Sequence, residues 1–232
     1  MTDSVVVVTG AGRGIGRAIS ERFGREGWQV VAASRTVAEL EETRRSIEDA
    51  GGRCHVQVVD VCVTDDLDDL VERTVERWGR IDVLVNNAGV APQANILELD
   101  PSLFESILAV NVRAVYHASR AVWPVMVRQG GGAIVNISSV AAVDPFPGFS
   151  AYGASKAWVS AWCRGLADEG KSLGISVFCI APGAVDTRML RDLFPDLADD
   201  QMLATPDVAN LVFAVVHPDY KHSTGQTIFL KR

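Results

Sequence analysis

Cysteine and histidine are scarce, with four of each among 232 residues, and Cys54, Cys62, Cys163 and Cys179 form no CxxC pair. A disulfide-stapled scaffold is therefore excluded, no metal-ligand cluster is in sight, and free, mostly buried thiols are expected. There is no excess of basic residues either: 22 Lys and Arg stand against 29 Asp and Glu, a net charge of −7. Nothing in that balance gives a footprint for nucleic-acid phosphates or anionic lipid, so neither partner is expected. Long apolar runs are missing near the start, where Asp3 precedes the short stretch Val5 to Val8. No secretory signal or membrane span fits, which leaves the cytoplasm as the expected location. Long Ser/Gly/Pro linkers and internal repeats are also lacking, so residues 1–232 read as a single domain.

What is present is an ordinary globular composition, 48% hydrophobic and 22% charged. Short β-branched runs alternate with amphipathic stretches. Strands are expected at Ser4–Thr9, Gln29–Ser34, His55–Val59, Ile81–Asn86, Ala133–Ser138, Ile175–Ile180 and Thr227–Leu230. Most are continuously apolar, as strands covered on both faces are. Ile15, Ala18, Ile19 and Phe23 recur at helical spacing, as do Leu67, Leu70, Val71 and Val75, and long helices are expected over Pro101–Arg128 and Ala151–Leu173. The expected fold is α/β, a single-domain Rossmann-type doubly wound parallel sheet of about seven strands flanked by helices. The acidic, Pro195-interrupted stretch 186–205 reads as a short flap.

Directly after the first strand, Thr9-Gly10-Ala11-Gly12-Arg13-Gly14-Ile15-Gly16 opens the first helix. Glycines at a strand-to-helix turn let backbone N–H groups and the helix dipole approach a pyrophosphate. The end of the second strand, where dinucleotide folds commonly place Asp or Glu, carries Ser34-Arg35 instead. A hydroxyl followed by a guanidinium can receive a 2′-phosphate that a carboxylate would repel, and Arg13 adds a second positive charge, so the expected cofactor is NADP(H). Asn86 has two readings, satisfying loose backbone groups at a strand end or contacting ligand.

Further along, Ser138-Ser139 ends the fifth strand, and Tyr152-Gly153-Ala154-Ser155-Lys156 begins a helix. The i, i+4 spacing puts Tyr152 and Lys156 on one helix face, where an ammonium can favour the phenolate; lowering the tyrosine by three units requires about 4 kcal/mol. The T-G-x-x-x-G-x-G turn, Asn111, Ser139, Tyr152 and Lys156 together resemble the short-chain dehydrogenase/reductase family, in order and spacing across nearly the whole chain. The resemblance implies that Tyr152 is the general acid of carbonyl reduction and the base of alcohol oxidation, and that Ser139 holds the substrate oxygen. It further implies that Lys156 binds the nicotinamide ribose and tunes Tyr152, while the Asn111 carbonyl holds a water leading from Lys156 to solvent. By the same resemblance Asp60, with Val61 beside it, binds adenine. Asn87, Ala88 and Gly89 line the adenosine side, and Pro182, Gly183, Val185 and Thr187 meet the nicotinamide. Ser138 is read as structural.

The expected function is NADP(H)-dependent hydride transfer to or from a small-molecule carbonyl or secondary alcohol, of carbonyl or 3-oxoacyl reductase type. The alternatives are an NAD-dependent alcohol dehydrogenase and a non-catalytic dinucleotide-sensing module. Ala91, Pro92, residues 144–149 and residues 189–194 are the candidate substrate wall, mostly apolar. The resemblance also implies a homodimer or homotetramer through the two long helices, which carry Trp123, Trp158 and Trp162.

Overall fold

A computed structural model describes residues 4–232, the side chain of Lys221 excepted. Seven strands form one parallel sheet: β1 (Val5–Thr9), β2 (Gln29–Ser34), β3 (Arg53–Val58), β4 (Val83–Asn86), β5 (Gly132–Ile137), β6 (Ile175–Pro182) and β7 (Thr227–Leu230). All seven expected strands are present. Their bounds move by up to two residues, most plainly in β4, which begins at Val83 rather than Ile81, and in β6, which continues to Pro182.

The alternation of side chains along a strand distributes the apolar runs between two cores. Val5 and Val7 pack with Leu67, Leu70, Val122 and Val159, whereas Val6 and Val8 pack with Ile19, Phe23, Leu40 and Val212. Three helices thus cover one face, namely α3 (Thr64–Trp78), α5 (Ala114–Arg128) and α6 (Ser150–Gly170). The other face carries α1 (Gly14–Arg25), α2 (Val37–Asp49) and α8 (Thr205–Val215). Val5 to Val8 are all buried, each worth about 1.5–3 kcal/mol relative to exposure, which makes β1 the centre of the fold.

The strand order is β3-β2-β1-β4-β5-β6-β7. Order reverses between β1 and β4, and in such sheets the crevice beyond the carboxyl ends of the strands at that reversal receives the ligand.

The expected long helix over Pro101–Arg128 is built in three parts: the short α4 (Pro101–Leu108), a π turn at Ala109–Arg113, and α5. Asp100 caps α4 by accepting hydrogen bonds from the backbone of Ser102 and Leu103 at 2.8 and 2.9 Å. The flap contains the short α7 (Arg188–Leu193) and returns to the body where Leu203 pairs with Val185, its N–H donating to the Ala184 carbonyl at 2.8 Å. All four cysteines are free, but only Cys163 and Cys179 are buried; Cys54 is half-buried and Cys62 is exposed, which corrects the expectation of mostly buried thiols. Among the described residues no helix is long and apolar enough to cross a membrane.

Candidate active site

A cavity of about 770 Å³ opens at the carboxyl ends of the central strands. One end is built by the glycine turn. Gly10 and Gly14 adopt φ of 64° and 55°, a left-handed backbone that favours glycine. A side chain at Gly12 would meet Ser34 Oγ at 3.0 Å, so the bare backbone is what leaves this cradle open. Gly10, Gly12, Arg13, Gly14, Ile15, Ser34, Arg35, Asp60, Val61, Asn87, Ala88 and Gly89 all line the cavity. Gly16 does not. A Cβ there would lie 2.2 Å from the Gly10 carbonyl oxygen and 2.5 Å from Asn87 Nδ2, so its part is to let α1 start against the turn rather than to touch a ligand.

Asn87 closes this end by donating from Nδ2 to the carbonyls of Thr9 and Gly10 at 2.9 and 3.2 Å. Its neighbour Asn86 faces the other way. It is buried and donates to Asn136 Oδ1 at 2.8 Å and to Ser119 Oγ at 3.2 Å, which settles its two readings in favour of bracing the sheet. Ser34 Oγ is buried without a hydrogen-bond partner at the cavity wall. A buried hydroxyl left unpaired is costly, and an adenosine ribose or its phosphate would satisfy it. With the glycine cradle beside it, this end fits the adenosine and pyrophosphate of a dinucleotide.

The other end gathers Ser138, Ser139, Tyr152 and Lys156; Pro182, Gly183, Val185 and Thr187 also line the cavity, with Thr187 beside Gly14 of the glycine turn. Lys156 is buried, and its Nζ donates to the Ile137 carbonyl at 2.8 Å. Burial pushes the lysine down to about 8. Burial likewise pushes the Tyr152 phenol above its ordinary value, opposed by a hydrogen bond with Ser139. The expected lowering of Tyr152 by Lys156 is therefore not found here: the ammonium is turned to a backbone carbonyl, 5.9 Å from the centre of the tyrosine ring. Ser138 Oγ donates to the Lys156 carbonyl at 2.9 Å and lies 3.1 Å from Ser160 Oγ, the structural part read for it. Ser139 Oγ faces the cavity and accepts from the Ala141 N–H at 3.1 Å.

Asn111 lies behind the wall, fully buried at the middle of the π turn. Its amide clasps both backbone groups of Val90, accepting from the N–H and donating to the carbonyl at 2.9 Å each, and donates to Ser155 Oγ at 3.0 Å. The segment leaving β4 is thereby held against α6. Thr187 caps α7, its Oγ1 accepting from Leu190 N–H at 3.3 Å.

The substrate wall is narrower than the sequence suggested. Ala91, Phe146, Pro147, Phe149, Met189, Leu190, Leu193 and Phe194 line the cavity, while Pro92, Asp144, Pro145, Gly148, Arg191 and Asp192 do not. Phe194 of the flap stacks on Phe149 at 6.0 Å between centroids. Sequence reasoning missed Gln93 and Glu39, which also line it together with Arg188 and Leu197 of the 186–205 flap. For Glu39 the available signal was its position in the first turn of α2, just past Ser34-Arg35.

The short-chain dehydrogenase model matches residues 4–198. The chain belongs to the short-chain dehydrogenase family. This short-chain dehydrogenase is 32% identical over 233 residues to the 3-oxoacyl-(acyl-carrier-protein) reductase of Thermotoga maritima, spanning 97% of this chain and 94% of that one. Among solved structures it superposes on an actinorhodin polyketide ketoreductase with NADPH at a TM-score of 0.93 and 29% identity, over 99% of this chain and 97% of the other. It also superposes on a 3-ketoacyl-(acyl-carrier-protein) reductase from Brucella melitensis complexed with NADH, at 0.90 and 29%, over 98% and 96%. The family makes it an oxidoreductase that uses a nicotinamide cofactor, and its neighbours carry both forms of that cofactor.

Proposed function

We propose that the protein is an NADP(H)-dependent reductase of neutral, apolar carbonyl compounds. The observation that carries this reading is the convergence of Ser139, Tyr152 and buried Lys156 at one end of a cavity whose other end holds Arg13, the unpaired Ser34 hydroxyl and Arg35. A bound nicotinamide cofactor would supply the hydride. Gly10, Gly12 and Gly14 would receive the pyrophosphate, and Ser34, Arg35 and Arg13 the 2′-phosphate. Lys156 would hold the ribose hydroxyls.

The chemistry left to the chain is proton delivery and charge stabilisation at the substrate oxygen. As negative charge develops there, two hydroxyl donors, Ser139 and Tyr152, stabilise it, and the phenol gives up its proton. Burial favours the protonated phenol, which suits a proton donor. Around the substrate, Phe146, Phe149, Met189, Leu193 and Phe194 offer apolar contacts, and Gln93 is a neutral polar one. That wall suits an aromatic or alicyclic ketone. The polyketide ketoreductase and 3-oxoacyl reductase similarities support the carbonyl direction.

The test is oxidation of NADPH and NADH at equal concentrations across ketones, diketones, quinones and 3-oxoacyl thioesters. The reading expects turnover with uncharged cyclic or aromatic ketones and a preference for NADPH. Equal turnover with NADH contradicts the cofactor half of the reading, and turnover confined to thioesters contradicts the substrate half.

A further inference from the structure

Glu39 stands in the first turn of α2, and no role described above uses it. Its Oε2 lies 3.3 Å from the point where a Cβ on Gly12 would sit, so the carboxylate overlies the glycine turn. Its other oxygen, Oε1, is approached by two cations: Arg188 Nη2 at 2.6 Å and Arg13 Nη1 at 3.4 Å. Both guanidiniums are more than half exposed, while the Glu39 side chain is only 24% exposed. The carboxylate is thus at the bottom of a small charged cluster with the cations outside it. The backbone of α2 is held there as well, because Arg17 donates to the carbonyls of both Gly12 and Glu39. Arg188 opens the flap helix α7 and is 149 residues from Glu39, so one carboxylate ties the flap to the adenosine end of the cavity.

Two consequences follow from charge alone. Neutralised by Glu39, Arg13 is a poorer partner for a doubly charged phosphate, and a phosphate brought to Ser34 and Arg35 meets the Glu39 carboxylate as a like charge. A dinucleotide with a free 2′-hydroxyl meets that carboxylate only through the pyrophosphate, which both cofactor forms share, so the difference between them falls on the 2′-phosphate. Exposed ion pairs are weak, which suits a tie that has to open. Resting on the NADP(H) reading above, we propose that Glu39 is a specificity-determining latch. It holds α7 to the glycine turn through Arg188 and weakens binding of the adenosine 2′-phosphate.

The experiment compares wild type, Glu39→Gln and Glu42→Gln. Glu42 lies on the same helix and pairs with Arg17 outside the cavity, so the control makes the same change in net charge. Binding of adenosine 2′,5′-bisphosphate and of ADP is measured by calorimetry, and backbone hydrogen exchange in residues 188–193 is followed without ligand. Glu39→Gln is expected to bind the bisphosphate about fivefold more tightly at low salt, with the gain shrinking as salt rises. ADP affinity stays within about twofold, exchange in α7 accelerates, and Glu42→Gln changes neither readout. Binding of the bisphosphate that is unchanged or weaker in Glu39→Gln overturns the latch and leaves the cofactor reading standing. Failure of wild type to bind either nucleotide overturns both.

Discussion

Lys156 Nζ donates to the carbonyl of Ile137, the last residue of β5, at 2.8 Å. A helix residue is thereby fastened to the end of the strand that delivers Ser138 and Ser139. Among the described residues no ion pair balances this buried ammonium, and burial lowers it from 10.5 to about 8. Its charge is therefore held against its own desolvation, an expense of about 3 kcal/mol that the fold sustains at the catalytic end.

The pH dependence of stability reports that burial. Between about 8 and 10.5 the unfolded lysine keeps a proton that the folded one has shed, so its contribution to stability rises with pH through that window. Below 8 both states are protonated and the full penalty applies. Lys156→Met removes the penalty, so the variant's advantage over wild type is largest below pH 8 and shrinks by about 1.4 kcal/mol per pH unit above it. Urea unfolding of both proteins from pH 7 to 10 measures the difference. A flat difference contradicts the burial of a charged lysine.

Two adjacent serines separate by what they touch. Ser139→Ala removes a donor at the substrate oxygen and lowers kcat by roughly 10²-fold, while loss of its bond to the Ala141 N–H costs about 1 kcal/mol of stability. Ser138→Ala breaks the bond to the Lys156 carbonyl, costing about 1–2 kcal/mol of stability, and leaves kcat within a few fold. Steady-state kinetics with urea unfolding on both variants checks the assignment, and a reversed pattern sinks it.

Arg35 is 70% exposed and among the described residues pairs only with Asp60, at 3.9 Å, so its substitution disturbs little of the fold. Arg35→Ala is expected to weaken NADPH binding about tenfold and NADH binding hardly at all. Fluorescence titration of both nucleotides decides it; equal losses would mean that Arg35 does not face the 2′ position.

Gly16 is a packing position. Gly16→Ala places a methyl on the Gly10 carbonyl and on Asn87 Nδ2, with an expected loss of about 1–3 kcal/mol and a Tm lower by about 2–4 °C for each kcal/mol. Thermal unfolding without ligand tests this, and an unchanged Tm contradicts the close approach.

The parts legible in the sequence are those with a local signature. Val5 to Val8 followed by the glycine turn announces a buried strand and a helix start, and Ser139, Tyr152 and Lys156 are spaced by the strand end and the helix that place them. The rest depends on partners distant along the chain. The π turn around Asn111 exists with an amide clasp to Val90, 21 residues away, and the pairing of Glu39 with Arg188 joins residues 149 apart. Whether Lys156 faces a phenol or a carbonyl is likewise set by how α6 seats on β5, which spacing along one helix does not encode. The boundary of the substrate wall is missed for the same reason: Gly148 packs on Gln93, and the sequence shows no link between those two loops.

The most direct test of the account is NADPH oxidation with a ketone that wild type turns over, measured in wild type and Tyr152→Phe alongside NADPH affinity. The account predicts that Tyr152→Phe binds NADPH within about twofold of wild type while kcat falls by roughly 10² to 10⁴-fold, as loss of the proton donor demands. Retained turnover in Tyr152→Phe would contradict it.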